Sequence, residues 1–322
     1  MFIIDALLIG VALVLFALYD HVIPGFFPSK PVFTAPPTMA SPTPFHTAEP
    51  SVSASPGETP EPTPYMGAFG AAFPDKFLSQ GEPQWSENSY RSRNVSITVT
   101  KVNDGRSTYY VADIYIKDIE NFKTVLADDS FGRSLREEIP AMAKRHNALT
   151  AITGDFYSLH TTGLVIRNGE LLRDKLSSND VCVLYRDGVM ETYTGGQVDL
   201  QAILAREPYH AWSFGPSLLI DGQPVEDFDS SIAASNPRSA VGYYEPGHYC
   251  FVVVDGRQGS YSHGMTLDKL SKLMFDLGCK SAYNLDGGKS AMMTLGDSIV
   301  NRPYDGGRKT SDILTICEVE KP

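Results

Sequence analysis

The segment from Pro24 to Pro64 constrains everything else in this chain. It is rich in Pro, Ser, Thr and Ala. Such a composition cannot bury enough apolar surface to offset the entropy of ordering it. It reads as an extended tether with polyproline character. Any core built by this 322-residue chain must therefore come from the residues that follow. On the other side of the tether, Ala6 to Leu18 is apolar without a break. Phe2 to Ile23 is interrupted only by Asp5, Asp20 and His21. About 20 such residues cross a bilayer. A cleaved signal peptide fits less well, because there is no basic n-region and no A-x-A cleavage site. The expected layout is a transmembrane anchor at 1–23, a linker at 24–64 and a globular body at 65–322. That body would be displayed extracellularly on a single-pass anchor in the cell membrane.

The balance of 27 basic against 38 acidic residues gives a net charge of -11. This excludes the basic footprint of a nucleic-acid binder. It leaves room for a phosphate-bearing substrate, which needs only a few local arginines. Cys182, Cys250, Cys279 and Cys317 show no CxxC spacing, which argues against a zinc or redox motif. Buried free thiols are expected, with one or two disulfides as the alternative outside the cytosol.

The body reads as α+β, a single domain with a mixed, strand-rich sheet core and few helices. Asn94 to Val102 and Tyr109 to Ile116 form a hairpin across Asn103-Asp104-Gly105-Arg106. Further hairpins are signalled at Asn168-Gly169, Asp187-Gly188 and Asp221-Gly222. Cys250 to Val254 is apolar throughout, as a strand covered on both faces should be. Ser134-Leu135-Arg136-Glu137 resembles a capping box, and Pro140 can restart a helix running to His146. Thr266 to Leu277 is the clearest helix. Its apolar stripe is Leu267, Leu270, Met274 and Leu277, and Asp268 and Lys272 form an outer-face pair. Ala148 to Ile152 and Ser311 to Val319 are further strands.

Polar clusters stand at the ends of these strands, where a rigid sheet holds loop residues in place. They are Asp155, Asn236-Pro237-Arg238, Asp255-Gly256-Arg257 and Asn284-Leu285-Asp286-Gly287-Gly288-Lys289-Ser290. Each also has a plain structural use. Asp-Gly is a common turn, Arg238 could pair structurally, and Thr266 suits a helix N-cap. Together, three carboxylates and two arginines point to a glycosyl or phosphoryl substrate. Carboxylates serve as acid, base or nucleophile at an anomeric carbon, and arginines grip phosphate bidentately. The helix N-terminus at Thr266 adds a natural anion site. No cofactor is required, although three aspartates could hold Ca²⁺ or Mg²⁺. All five expected site residues end strands, so they should line one concavity at one sheet edge.

Several segments follow one another in a set order: Ala151-Ile152-Thr153-Gly154-Asp155-Phe156-Tyr157, Gly163 to Gly169, Phe214-Gly215-Pro216-Ser217-Leu218, Asn236 to Gly242, Val254 to Arg257, Tyr261 to Thr266, Ala282 to Gly288 and Arg308 to Ile313. In that order they resemble the phosphodiester glycosidase family. The likeness spans about 141–318 and is closest to the bacterial, exopolysaccharide-biosynthesis-like branch. It implies an α+β fold and hydrolysis of a sugar-1-phosphodiester bond in a cell-surface glycan or sugar–phosphate polymer. Asp286 and Asp255, with Asp155 as third, are then the candidate catalytic residues. Arg238 and Arg257 would hold the phosphate, and Asn284 and Ser290 the sugar. Thr266, Gly287, Gly288 and His263 would contact substrate. Two positions depart from the family pattern: Thr153 stands where Asn is usual, and Lys289 where a third Gly is usual. A lysine beside Asp286 motivates a second reading, a catalytically silent surface polysaccharide-binding module.

Overall fold

The structure, a computed structural model, describes residues 68–319. The expected anchor, the expected linker at 24–64 and the first three residues of the expected body lie outside the described residues. Among those described, no helix is long and apolar enough to cross a membrane. They belong to one compact unit.

Three antiparallel sheets meet around one core. The largest has seven strands. Five of them run, in order, Val95–Asn103, Thr108–Ile116, His248–Val254, Arg238–Glu245 and Ser281–Leu285, the last at the sheet's edge. The second sheet has Ala148–Thr153 flanked by Met293–Leu295 and Asp312–Cys317. The third centres on Val181–Tyr185, Pro208–Trp212 and Gly163–Arg167. Period-two alternation sorts the side chains. In the third sheet, Cys182 and Leu184 enter the shared core, while Val181, Val183 and Tyr185 face outward. In the second, Leu314 and Ile316 face inward, and Ile313 and Cys317 outward.

Each outer face is covered by one helix: α1 (Ile139–Arg145) on the second sheet, α2 (Leu200–Ala205) on the third and α3 (Leu267–Asp276) on the first. In α3, Leu267, Leu270 and Met274 are fully buried. Each contributes roughly 1.5–3 kcal/mol relative to exposure. Gly278, at φ +87°, ends that helix in the left-handed conformation that favours glycine.

The expected hairpins all form, and His248–Val254 lies between two strands with both faces covered. Three expectations are corrected. The sheets are not mixed: every strand pairing among the described residues is antiparallel. The strands joined by α3, His248–Val254 and Ser281–Leu285, do run the same way, but Arg238–Glu245 is inserted between them. Ser134 caps no helix. It sits at φ +61°, and Glu137 bridges to Thr310, so α1 starts only at Ile139, with Pro140 in its first turn. On α3, Lys272 pairs with Asp276 rather than Asp268. Both spacings are i,i+4, and Asp268 lies close enough to Arg238 to favour that guanidinium's charge.

Candidate active site

Strand register builds the site. Arg238 is opposite Val254, and Ser239 is opposite Leu285. Asp255 and Asp286 thus leave their strands on either side of the Asn236-Pro237-Arg238 entry. The chains approach backbone to backbone there. A Cβ on Gly287 would lie 2.6 Å from the Pro237 carbonyl oxygen, and one on Gly256 only 2.8 Å from Gly264 Cα and from Pro237 N. Gly288 N donates to the Pro237 carbonyl (3.0 Å). The glycines of the sequence motifs are needed for this close packing.

The result is a cavity of about 330 Å³ whose lining includes Phe214, Asn236, Arg238, Arg257, Asn284, Asp286, Gly287, Gly288, Lys289 and Arg308. Asp286 is its one carboxylate and is 4% exposed. Ser290 Oγ donates to Asp286 Oδ2 (2.5 Å). Arg308 Nη2 donates to Oδ1 and Oδ2 (3.0 and 2.8 Å), and Arg308 Nε donates to Ser290 Oγ (2.6 Å). Arg308 also stacks over the Phe156 ring at 4.8 Å. Burial pushes the Asp286 carboxyl above its ordinary value, against the opposing pull of Ser290 and Arg308. Asn284 Nδ2 donates to the Gly215 carbonyl (2.7 Å), at the cis Gly215–Pro216 bond. Its Oδ1 is buried without a partner.

The two expected arginines differ. Arg238 is buried, and its Nε and Nη2 donate to the carbonyls of Met265, Ile232, Ala233 and Ala234. Burial lowers its pKa to about 10. Arg257 is exposed, at φ +59°, and donates from Nε and Nη2 to Asn236 Oδ1 (3.1 and 2.7 Å).

Not all expected residues gather here. One sheet edge does hold Arg238, Asp255 and Asp286, but the period of two sends their side chains to different faces. Continuing the register sets Asp286 opposite Arg238 and Asp255 opposite Pro237. Asp255 therefore turns away from the cavity. Its carboxylate accepts from Tyr261 OH (2.9 Å), Asn301 Nδ2 (2.8 Å) and Arg302 N (3.0 Å), and burial pushes its pKa up. Asp155 belongs to the second sheet. Gly154 O accepts from Asp286 N (3.1 Å), so the two strand ends touch. The Asp155 carboxylate instead pairs with Arg167 Nη2 (2.9 Å) and accepts from Ser213 N and Tyr157 N. Arg167 also pairs with the fully buried Asp312 (2.8 Å).

Thr266 is the N-cap residue of α3, yet its Oγ1 is buried without a partner. His263 is exposed and outside the cavity lining. Lys289 pairs with Asp305 and lies 6.0 Å from the Tyr304 ring, rather than pairing with Asp286. Thr153 bonds Thr310 (3.0 Å) inside the second sheet. No group of three His, Cys, Asp or Glu residues among the described residues could hold a metal ion.

Arg308 was absent from the sequence-derived site. Its only signal was its place at the head of Arg308-Lys309-Thr310-Ser311-Asp312-Ile313, 22 residues beyond Asp286.

With this geometry in view, the comparisons with known proteins are specific. The phosphodiester glycosidase family profile matches residues 146–317. An uncharacterized SPbeta prophage-derived protein of Bacillus subtilis, YomE, is 31% identical over 196 residues. That match covers 58% of this chain but 30% of YomE, so the chain spans under a third of that relative. Among solved structures, the zebrafish N-acetylglucosamine-1-phosphodiester α-N-acetylglucosaminidase catalytic domain, auto-inhibited by its pro-peptide, superposes with a TM-score of 0.57 at 22% identity. It covers 74% of this chain and 88% of that one. The protein belongs to the phosphodiester glycosidase family.

Proposed function

We propose that this protein hydrolyses the sugar–oxygen bond of a glycosyl phosphodiester in a cell-surface glycan or polymer, with Asp286 as the acting carboxylate. The observation that carries this reading is the cavity itself: a single buried carboxylate held by Ser290 and Arg308, in a cavity whose lining includes Arg238 and Arg257. The substrate's leaving group explains why one carboxylate suffices. Ordinary glycosidases need a second carboxyl to protonate a departing alkoxide. A departing phosphate monoester is already stable as an anion of about -1.5 to -2 at pH 7. It needs neutralising arginines rather than a general acid. Asp286 is then free to attack the anomeric carbon or to activate water. Asn284 Oδ1, buried and unpartnered, offers an acceptor for a sugar hydroxyl or amide donor.

Phe214 is the one aromatic ring in the cavity lining, and Lys289 is engaged with Asp305. Neither supports a flat, silent glycan-binding face. The apolar run to Ile23 and the Pro-rich tether support display of the body outside the cell on a membrane anchor.

The test is an assay of the chain from Tyr65 onward against a panel of glycosyl phosphodiesters, beside Asp286→Asn. Turnover by the native sequence and a loss of about 10³-fold or more in the variant, at unchanged melting temperature, are expected. Equal turnover by both would remove Asp286 from the chemistry.

A further inference from the structure

Two cysteines lie where α3 meets the first sheet. Cys250 is in the middle of His248–Val254 and fully buried, and Cys279 follows Gly278 and is 4% exposed. Their sulfurs are 3.7 Å apart. The space they share is made by Gly242, the register partner of Cys250. A Cβ at Gly242 would lie 2.7 Å from each sulfur and 2.6 Å from Met274 Cε. The backbone around Cys279 is fixed: its N–H donates to Met274 O (3.2 Å), and Lys280 N–H donates to Tyr243 O (2.8 Å). The other two cysteines have no such neighbour. Cys182 enters the core of the three sheets, and the Cys317 sulfur faces the His146 carbonyl at 3.6 Å.

We propose that Cys250 and Cys279 are joined by a disulfide when the protein resides in an oxidising compartment. The sulfurs need to close from 3.7 Å to about 2.05 Å, a movement of side-chain size. The co-reactant is a small disulfide such as oxidised glutathione. The Cys279 thiolate attacks one glutathione sulfur and expels a glutathione thiolate, leaving a mixed disulfide. The Cys250 thiolate then attacks the Cys279 sulfur and expels the second. Two protein thiols are oxidised, one glutathione disulfide is reduced to two thiols, and the two protons pass to glutathione. The neighbouring Cys250 thiol draws Cys279 below its ordinary value, while the contact with Cys279 and burial hold Cys250 above its own, so Cys279 is the sulfur that attacks first. The bond would close a ring containing Asp255, Arg257 and all of α3. It would also tie the sheet to the segment that leads into Asn284 and Asp286.

The experiment equilibrates the full chain in glutathione buffers, starting once from reduced and once from oxidised protein, until the thiol pattern stops changing. Free thiols are then alkylated, and the digest is read by mass spectrometry. At an oxidising glutathione ratio, a Cys250–Cys279 linked peptide should form, two hydrogens lighter than the separate peptides. Cys182 and Cys317 should remain alkylatable on unfolding. The melting temperature should rise by about 5–10 °C over the reduced form, and Cys279→Ala should lose both the link and the rise. Four alkylatable cysteines under those conditions, or a link between any other pair, would overturn the proposal. The native-sequence mass pattern decides this even if Cys279→Ala does not fold.

Discussion

Asp286 and Asp155 end neighbouring strands, are both almost wholly buried and both face an arginine, yet their surroundings differ in one respect. The partner of Asp155 is Arg167, 2% exposed and clamped between Asp155 and Asp312. The partner of Asp286 is Arg308, whose side chain is 40% exposed at the mouth of the cavity. An arginine enclosed between two carboxylates, as Arg167 is, serves to hold the sheets together. A carboxylate whose counter-charge reaches solvent can exchange that partner for a substrate. Sequence position alone did not separate the two, because both are Gly-adjacent aspartates at strand ends.

Removing the two arginines in turn should break or sharpen that contrast. Arg167→Met would leave two buried carboxylates uncompensated. Breaking such a cluster costs about 3–5 kcal/mol, so the variant should melt far below the native sequence or fail to fold. Arg308→Lys should leave the melting temperature nearly unchanged. It should lower kcat/KM about tenfold to a hundredfold, the effect of losing a charge-assisted hydrogen bond. Calorimetry beside kinetics checks both. Equal destabilisation by the two substitutions would erase the distinction.

A smaller effect concerns pH. Burial raises the Asp312 carboxyl above its unfolded value, outweighing the pull of Arg167. The stability from the protonated form is therefore fully present below the ordinary carboxylate pKa and is lost as pH rises through the raised value. Melting temperature should fall from about pH 4 to about pH 7, and Asp312→Asn should flatten part of that slope. A slope unchanged in the variant would place the titration elsewhere, for example at Asp255 or Asp286, whose carboxyls are also raised.

The smallest effect belongs to Lys289→Gly. Its ammonium is held by Asp305 at the exposed rim, and surface pairs contribute little, so kcat/KM should stay within about threefold. A tenfold change in steady-state kinetics would bring Lys289 into contact with substrate after all.

Much of this fold was legible because hairpin turns and alternating strands declare themselves locally. Asn168-Gly169, Asp187-Gly188 and the Thr266 helix stand where their chemistry put them. The pairing of sheets was not legible. Nothing local says that Arg238–Glu245 inserts between His248–Val254 and Ser281–Leu285. That insertion decides which face each strand-end aspartate takes. The sequence therefore located the edge shared by Arg238, Asp255 and Asp286 but could not tell that Asp255 points away. Arg308 was hidden for the same reason: only the second sheet, through the strand at Asp312, carries it back to Asp286.

The central claim is cleavage of the sugar–oxygen bond with phosphate leaving, and heavy-oxygen water tests it most directly. A glycosyl phosphodiester turned over by the chain from Tyr65 onward in that solvent should yield a phosphate monoester with no heavy oxygen, because water adds to the sugar. Heavy oxygen in the phosphate product would show phosphorus–oxygen cleavage and contradict the role given to Asp286.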